Sequence, residues 1–176
     1  YTDFEVIGRT RDDAAGEAMD KAARTLGLPY PGGVNLDKIS KTGDNTKYKF
    51  PKPRVDGCPL DFSFSGLKTS VINLVHNATQ KGEALETADV GASFINAVVN
   101  SLVDNTIKAM ELYDEKTLVL AGGVSANLLY PRKSLCTAGL CVLGELVYLL
   151  AGKLFGISLA VYTSYAAACG NCAGEY

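Results

Sequence analysis

The sequence predicts an α/β fold. Apolar residues recur at helical spacing over several stretches, and between them lie short apolar or alternating runs bounded by glycine. One run, "KTLVLAGGVSANLL", reads as a buried strand, a glycine turn and a helix start, the unit from which α/β layers are built. The chain has 176 residues, 47% of them hydrophobic and 20% charged, which suits a globular domain or part of a larger one and not a disordered chain.

Residues 3–8, "DFEVIG", read as a short strand. Asp12 or Asp13 is placed to cap the helix that follows, since a carboxylate accepts from the free N–H groups of a first turn. That helix is expected to reach Leu26 and stop at Gly27, with Pro29 and Pro31 barring its continuation. About 100° per residue puts Asp13, Glu17 and Asp20 on one face, and Ala15, Ala18, Met19, Ala22 and Leu26 on the other. A second short helix starts near Gly33 and carries "VNLDKIS".

Residues 41–60, rich in lysine and proline, read as a loop. "DFSFSG" alternates, with Phe62 and Phe64 on one face, and reads as a strand. After Gly66, Leu67, Val71, Leu74 and Val75 recur at helical spacing. A longer helix over about 88–112 buries Val90, Phe94, Ala97, Val98 and Leu102. The end of the chain is apolar: from Leu135 onward only Glu145, Lys153 and Glu175 are ionised. Its run "LVYLLAGKLFGISLAVYTSYAAA" has nearly the length of a bilayer span, but Lys153 and two glycines interrupt it and no basic cluster flanks it. Buried, partly helical core is the expected state.

Several functions are disfavoured at this level. A formal net charge of −2 gives no general drive toward nucleic acid, so such binding needs a local basic patch. No signal peptide is expected at the start, and five cysteines suit a reducing cytoplasm better than a disulfide scaffold. "SGLKTS" mimics the end of a phosphate-binding loop, but Leu67 separates glycine from lysine and Asp61 stands where the upstream glycine belongs. A helix N-terminus near Lys68 still suits an anion. His76 is the only histidine, so no histidine-pair metal site can be built, and a solvated helix position suits it. Cys136, Cys141, Cys169 and Cys172 offer four thiolates for zinc, although buried free cysteines are commoner.

Three stretches suit a ligand. In the acidic helix, the pairs Glu17–Lys21 and Asp20–Arg24 stand at i,i+4, which favours a solvated, ion-paired face. "YPGG" follows it, and its glycines let backbone approach a ligand closely. Asp37, one helical turn beyond Gly33, can accept from sugar hydroxyls. In "LVLAGGVSANLL", free N–H groups and a helix dipole converge, and Asn127 can both donate and accept.

Taken together, "GRTRDDAAGEAMDKAARTLGLPYPGG", "DKISKTGD", "YKFPKP", "LDFSFSGLKTSV", "SFINAVV" and "LVLAGGVSANLL" resemble, in order, the TsaD-type tRNA N6-adenosine threonylcarbamoyltransferases, formerly called glycoproteases. The resemblance covers about residues 4–129. It implies an actin-like ATPase (ASKHA) fold with two α/β lobes around a nucleotide cleft. It also implies transfer of a threonylcarbamoyl group from an adenylate to a tRNA adenosine next to the anticodon. By the same resemblance, Asp20 and Asp37 hold ribose hydroxyls of the adenylate, and Gly33 and Asn127 frame it. The implied cofactors are an adenylate or ATP-type ligand and a divalent metal, iron or zinc. The implied partners are tRNA and TsaB-like and TsaE-like pathway proteins, in the cytoplasm and away from membranes.

The chain also departs from the family pattern. The family's histidine metal pair and first glycine-rich loop lie upstream of Tyr1. Ala138 of "SLCTAGL" stands where the family has a metal aspartate, and the segment before it is short. The expectation is therefore an incomplete lobe over 1–139, holding part of the cleft but no complete metal site. Residues 140–176 are expected to form a divergent apolar tail packed on that lobe or extending it. The alternative to an enzyme fragment is a non-catalytic nucleotide-binding or partner-binding scaffold derived from the same family.

Overall fold

The structure, a computed structural model, describes residues 5–115, 117–118, 122–124 and 141–142. Its elements are α1 (Ala15–Thr25), α2 (Gly32–Ser40), α3 (Ser65–Lys81), α4 (Thr87–Leu112), β1 (Thr117–Leu118) and β2 (Cys141–Val142). β1 and β2 pair in parallel, Thr117 with Cys141 and Leu118 with Val142. Leu118 is fully buried, as expected of the strand in "KTLVLAGG"; Val124 is helical, as expected of "VSANLL", but Gly123, expected in the turn, is helical with it.

The helices obey their apolar periodicity. Ala15, Ala18, Met19, Ala22 and Ala23 are buried along α1, and their small side chains let α2 and α3 close on it. α1 ends as expected, with Gly27 at φ +76° and the Leu28 N–H donating to the Ala23 carbonyl at 2.9 Å. Leu67 and Val71 of α3 are buried and Leu74 and Val75 half-buried against the same core. Val90, Phe94 and Val98 of α4 are buried, with Ala97 and Leu102 partly so. Most of the described core is therefore α1, α2 and α3 packed with α4, closed by Leu60, Phe62 and Phe64.

Of the strand expected at 3–8, residues 5–8 form no regular element and residues 3–4 lie outside the described residues; the strand expected in "DFSFSG" is reduced to one parallel bridge, Phe62 with Thr10. Phe62 donates to the Arg9 carbonyl at 2.9 Å and accepts from the Arg11 N–H at 2.8 Å, and no further rung forms. The ladder stops because Phe64 has turned into helical backbone at the start of α3. Phe62 and Phe64 still share the core, with rings stacked at 5.8 Å. Apolar alternation located the buried phenylalanines but not their backbone.

Among the described residues no helix is long and apolar enough to cross a membrane. The apolar run at 146–168, Cys136, Ala138, Cys169 and Cys172 lie outside the described residues, and Cys141 is described only as backbone.

Candidate functional site

The acidic segment 12–20 organises the start of two helices. The expected cap of α1 by Asp12 or Asp13 is not what they do: Ala14 is the N-cap, without a side-chain hydrogen bond. Asp12 instead reaches the N-terminus of α3. Its Oδ1 accepts from the Phe64 N–H at 2.8 Å and the Ser65 N–H at 3.3 Å. Its Oδ2 accepts from the Ser65 hydroxyl at 2.6 Å and from the Ser63 hydroxyl. Partial desolvation works to raise the Asp12 carboxyl, but the Ser63 and Ser65 hydroxyls and the two amides outweigh it and hold the group below the usual aspartate range. The anion expected at this helix start is thus the chain's own carboxylate.

Asp13 sits beside it and accepts from Lys21 at 2.7 Å and Lys68 at 2.9 Å. Hydrogen bonds from Lys21 first, then Lys68, depress its carboxyl. Lys21 also reaches Glu17 at 2.7 Å, so the expected i,i+4 pair forms as part of a larger network. Asp61 closes the neighbouring turn. Its Oδ1 accepts from the Arg9 N–H at 2.9 Å and its Oδ2 pairs with the Arg11 guanidinium. Nothing in local spacing pointed to Asp61 or to the long-range role of Asp12, because their partners lie about fifty residues away.

Asp20 behaves differently from its neighbours. Its expected pairing with Arg24 is replaced: Asp20 Oδ1 accepts from the Gly33 N–H at 2.6 Å. This N–H belongs to the first turn of α2, which has no internal acceptor, and the N-cap Pro31 offers no side chain to bond it. Gly32 makes the approach possible. A Cβ there would lie 2.9 Å from Ala23 Cβ and 2.9 Å from Asp20 Cα, so only glycine fits between the helices. Gly33 is more open, with the Cβ position 3.6 Å from Asp20 Oδ1.

Asp37 lies four residues beyond Gly33, on the same face of α2, with Lys41 Nζ 3.4 Å from its carboxylate. Asn127 lies outside the described residues. Val124, earlier in its motif, packs close to the start of α1: a Cβ on Gly16 would stand 3.2 Å from Val124 Cγ2. Of the four expected ligand-binding residues, the structure joins Asp20 to Gly33 and puts Asp37 on the same short helix.

His76 is exposed on α3, with Nε2 3.4 Å from Gln80 Nε2. Among the described residues no group of three histidine, cysteine, aspartate or glutamate side chains is arranged to hold a metal. The described residues therefore do not fit the family's metal, and no chemical step is assigned to one.

Comparison with known proteins identifies the family. The family model for TsaD, tRNA N6-adenosine threonylcarbamoyltransferase, matches residues 1–144. A protein of that name from Listeria welshimeri is 58% identical over 125 residues, covering 71% of this chain and 36% of its own length. One from Halalkalibacterium halodurans is 47% identical over 161 residues, covering 82% of this chain and 47% of the relative. One from Clostridium botulinum is 46% identical over 165 residues, covering 84% and 48%. The chain spans between about a third and a half of the length of these curated relatives. With the family model matching residues 1–144 and these relatives 46–58% identical over most of its length, the chain belongs to the TsaD family of tRNA N6-adenosine threonylcarbamoyltransferases.

Proposed function

We propose that this chain supplies part of the adenylate pocket of a threonylcarbamoyltransferase acting on the N6 amine of a tRNA adenosine next to the anticodon. The observation that carries the reading is the 2.6 Å hydrogen bond from Gly33 N–H to Asp20 Oδ1 at the start of α2. It fixes one carboxylate oxygen, and the reading assigns the other to a ligand hydroxyl. Asp20 and Asp37 accept from the ribose hydroxyls, while Gly33 and Asn127 bound the nucleotide. The N-terminus of α2 adds partial positive charge near an anionic ligand.

The reaction needs no protein nucleophile. The exocyclic amine attacks the carbamoyl carbon of the mixed anhydride, the bond to the adenylate phosphate breaks, and the amine loses its proton. AMP leaves with the bonding electrons. What this part of the chain contributes is binding and orientation, which lower the barrier by holding the reacting groups together.

Residues 1–139 are read as an actin-like lobe with part of the cleft. Residues 140–176 are read as an apolar tail packed on that lobe or extending it. The reading places the protein in the cytoplasm beside TsaB-like and TsaE-like proteins. The second reading is a non-catalytic nucleotide-binding or partner-binding scaffold derived from the same family.

Calorimetric titration with a non-hydrolysable threonylcarbamoyl-adenylate analogue tests the pocket. Binding that survives Asp20→Ala with Asn127→Ala removes the assigned site. A transferase assay with tRNA, ATP, bicarbonate, threonine and the pathway proteins separates enzyme from scaffold, since turnover excludes the latter.

A further inference from the structure

Residues 41–60 form no regular element, yet they are held along α4. The Asp44 N–H donates to Asp89 Oδ1 at 2.8 Å. Ser93 Oγ accepts from the Tyr48 N–H and donates to the Asp44 carbonyl, both at 3.2 Å. Phe50 packs edge-on against Phe94 with centroids 6.0 Å apart, and Lys52 pairs with Asp104. The segment is a strap fixed by its backbone and its aromatic side chains.

Its side chains differ in exposure. Tyr48, Phe50, Pro53 and Val55 are half-buried, whereas Lys47, Lys49, Lys52 and Arg54 are exposed. Over residues 38–54 six lysines and arginines stand against the single carboxylate of Asp44. The chain as a whole has 17 cations and 19 anions, so its positive charge is concentrated here. Lys47 and Lys52 each have one carboxylate, from Asp89 and Asp104. Lys49 and Arg54 have no ion-pair partner among the described residues.

We propose that the exposed cations Lys47, Lys49, Lys52 and Arg54 of the strap form a docking strip for the phosphate backbone of the RNA. The identity of the polyanion as tRNA rests on the proposed function; the strip itself rests on geometry and charge. An extended chain from Lys47 to Arg54 reaches at most about 25 Å. Phosphates follow one another at roughly 3.4 Å of axis per strand, so the strip spans several at once. Because the strap is already held against α4, less ordering entropy opposes binding. Lys49 and Arg54 break no ion pair when they meet phosphate. Tyr48 and Phe50 face inward, which leaves bases without an aromatic platform on this strip. Recognition here is therefore by charge, insensitive to sequence and sensitive to salt.

The test is fluorescence anisotropy with the full chain and a labelled, unmodified tRNA transcript bearing an adenosine beside its anticodon, at about 50 to 200 mM KCl. Lys49→Gln with Arg54→Gln is expected to weaken binding about tenfold and to reduce the log–log salt slope by about 2. Lys49→Arg with Arg54→Lys is expected to bind like the parent. Lys81→Gln with Lys108→Gln, which removes two exposed cations elsewhere, is expected to leave affinity unchanged. Parent-like binding by the strap variant overturns the proposal, as does equal weakening by the Lys81 and Lys108 variant or absence of parent binding at low salt. Loss of a co-purifying protein with tRNA binding intact also overturns it, in favour of a protein contact. Titration with the adenylate analogue keeps the two readings apart. Strap-dependent tRNA binding in a chain that binds no analogue supports the strip and sinks the pocket.

Discussion

Two helix N-termini receive carboxylates from the same short acidic segment, and the two carboxylates are used differently. At α3, Asp12 is saturated by two backbone amides and two serine hydroxyls. At α2, Asp20 takes one backbone amide, on one oxygen. The first arrangement consumes the carboxylate as a structural clamp, joining the entry to α1 with the entry to α3. The second uses one oxygen of the carboxylate at the start of α2, and the proposed function assigns the remaining acceptor to a ligand. A count of acidic residues on a helix face cannot separate these roles; what separates them is which donors the rest of the fold brings within reach.

Among the carboxylates, the larger effect on stability is expected at the saturated end. Asp12→Ala leaves the Phe64 and Ser65 amides of the α3 terminus without their acceptor. By the usual cost of losing a charged helix cap it lowers stability by about 2 kcal/mol, measured by urea unfolding. The same group gives a pH signature. Its carboxyl titrates lower in the folded protein than in the unfolded chain, so the fold favours the ionised form. That contribution is full above the unfolded aspartate value of about 3.9 and disappears as pH falls through the lowered folded value. Asp12→Asn therefore flattens the acid limb of the stability curve below about pH 4 relative to the parent, in thermal melts across pH. An unchanged limb would assign the acid sensitivity to Asp13 and Asp61, whose carboxyls are lowered too.

At the other end, Asp20→Ala removes one hydrogen bond, to a half-buried amide, and is expected to cost about 1 kcal/mol. Its expected signature is functional: analogue binding is lost while the melting curve shifts little. The comparison breaks if Asp20→Ala unfolds the chain as readily as Asp12→Ala, because Asp20 would then be a clamp of the same kind.

The sequence made one half of this comparison legible and hid the other. Helical stripes through Met19, Val71, Phe94 and Val98 are local, repeat over several turns, and match the buried faces. The strands were less legible because the Thr10–Phe62 bridge ends after one rung, where Phe64 enters α3. For the carboxylates, local spacing paired Glu17 with Lys21 correctly, since both lie on one helix face. It paired Asp20 with Arg24 incorrectly, because packing on Gly32 delivers a backbone amide that no local rule sees. Asp12 was hidden for the same reason, with donors some fifty residues away. Periodicity alone makes Asp20 a solvated charge, whereas the collinear motifs single it out and the structure bonds it to the Gly33 amide.

The smallest expected stability effect is the sharpest probe of the α2 end, because two adjacent glycines there differ in what a methyl group would meet. At Gly32 a Cβ collides with Ala23 and the Asp20 backbone at 2.9 Å. Gly32→Ala must push α2 away from α1, at a cost of about 2 kcal/mol. At Gly33 the Cβ finds Asp20 Oδ1 at 3.6 Å and Met19 Cβ at 3.7 Å, ordinary contact distances. Gly33→Ala keeps the amide that bonds Asp20 and places alanine in a helical turn, so stability stays within about 0.5 kcal/mol of the parent. The methyl group nevertheless stands beside the carboxylate, where the proposed ribose hydroxyls approach. A normal melt with weakened analogue binding would identify Gly33 as a wall of the pocket, with Gly32 its structural support. Unchanged binding would confine the glycine pair to helix packing and leave Asp20 as a cap of α2 alone.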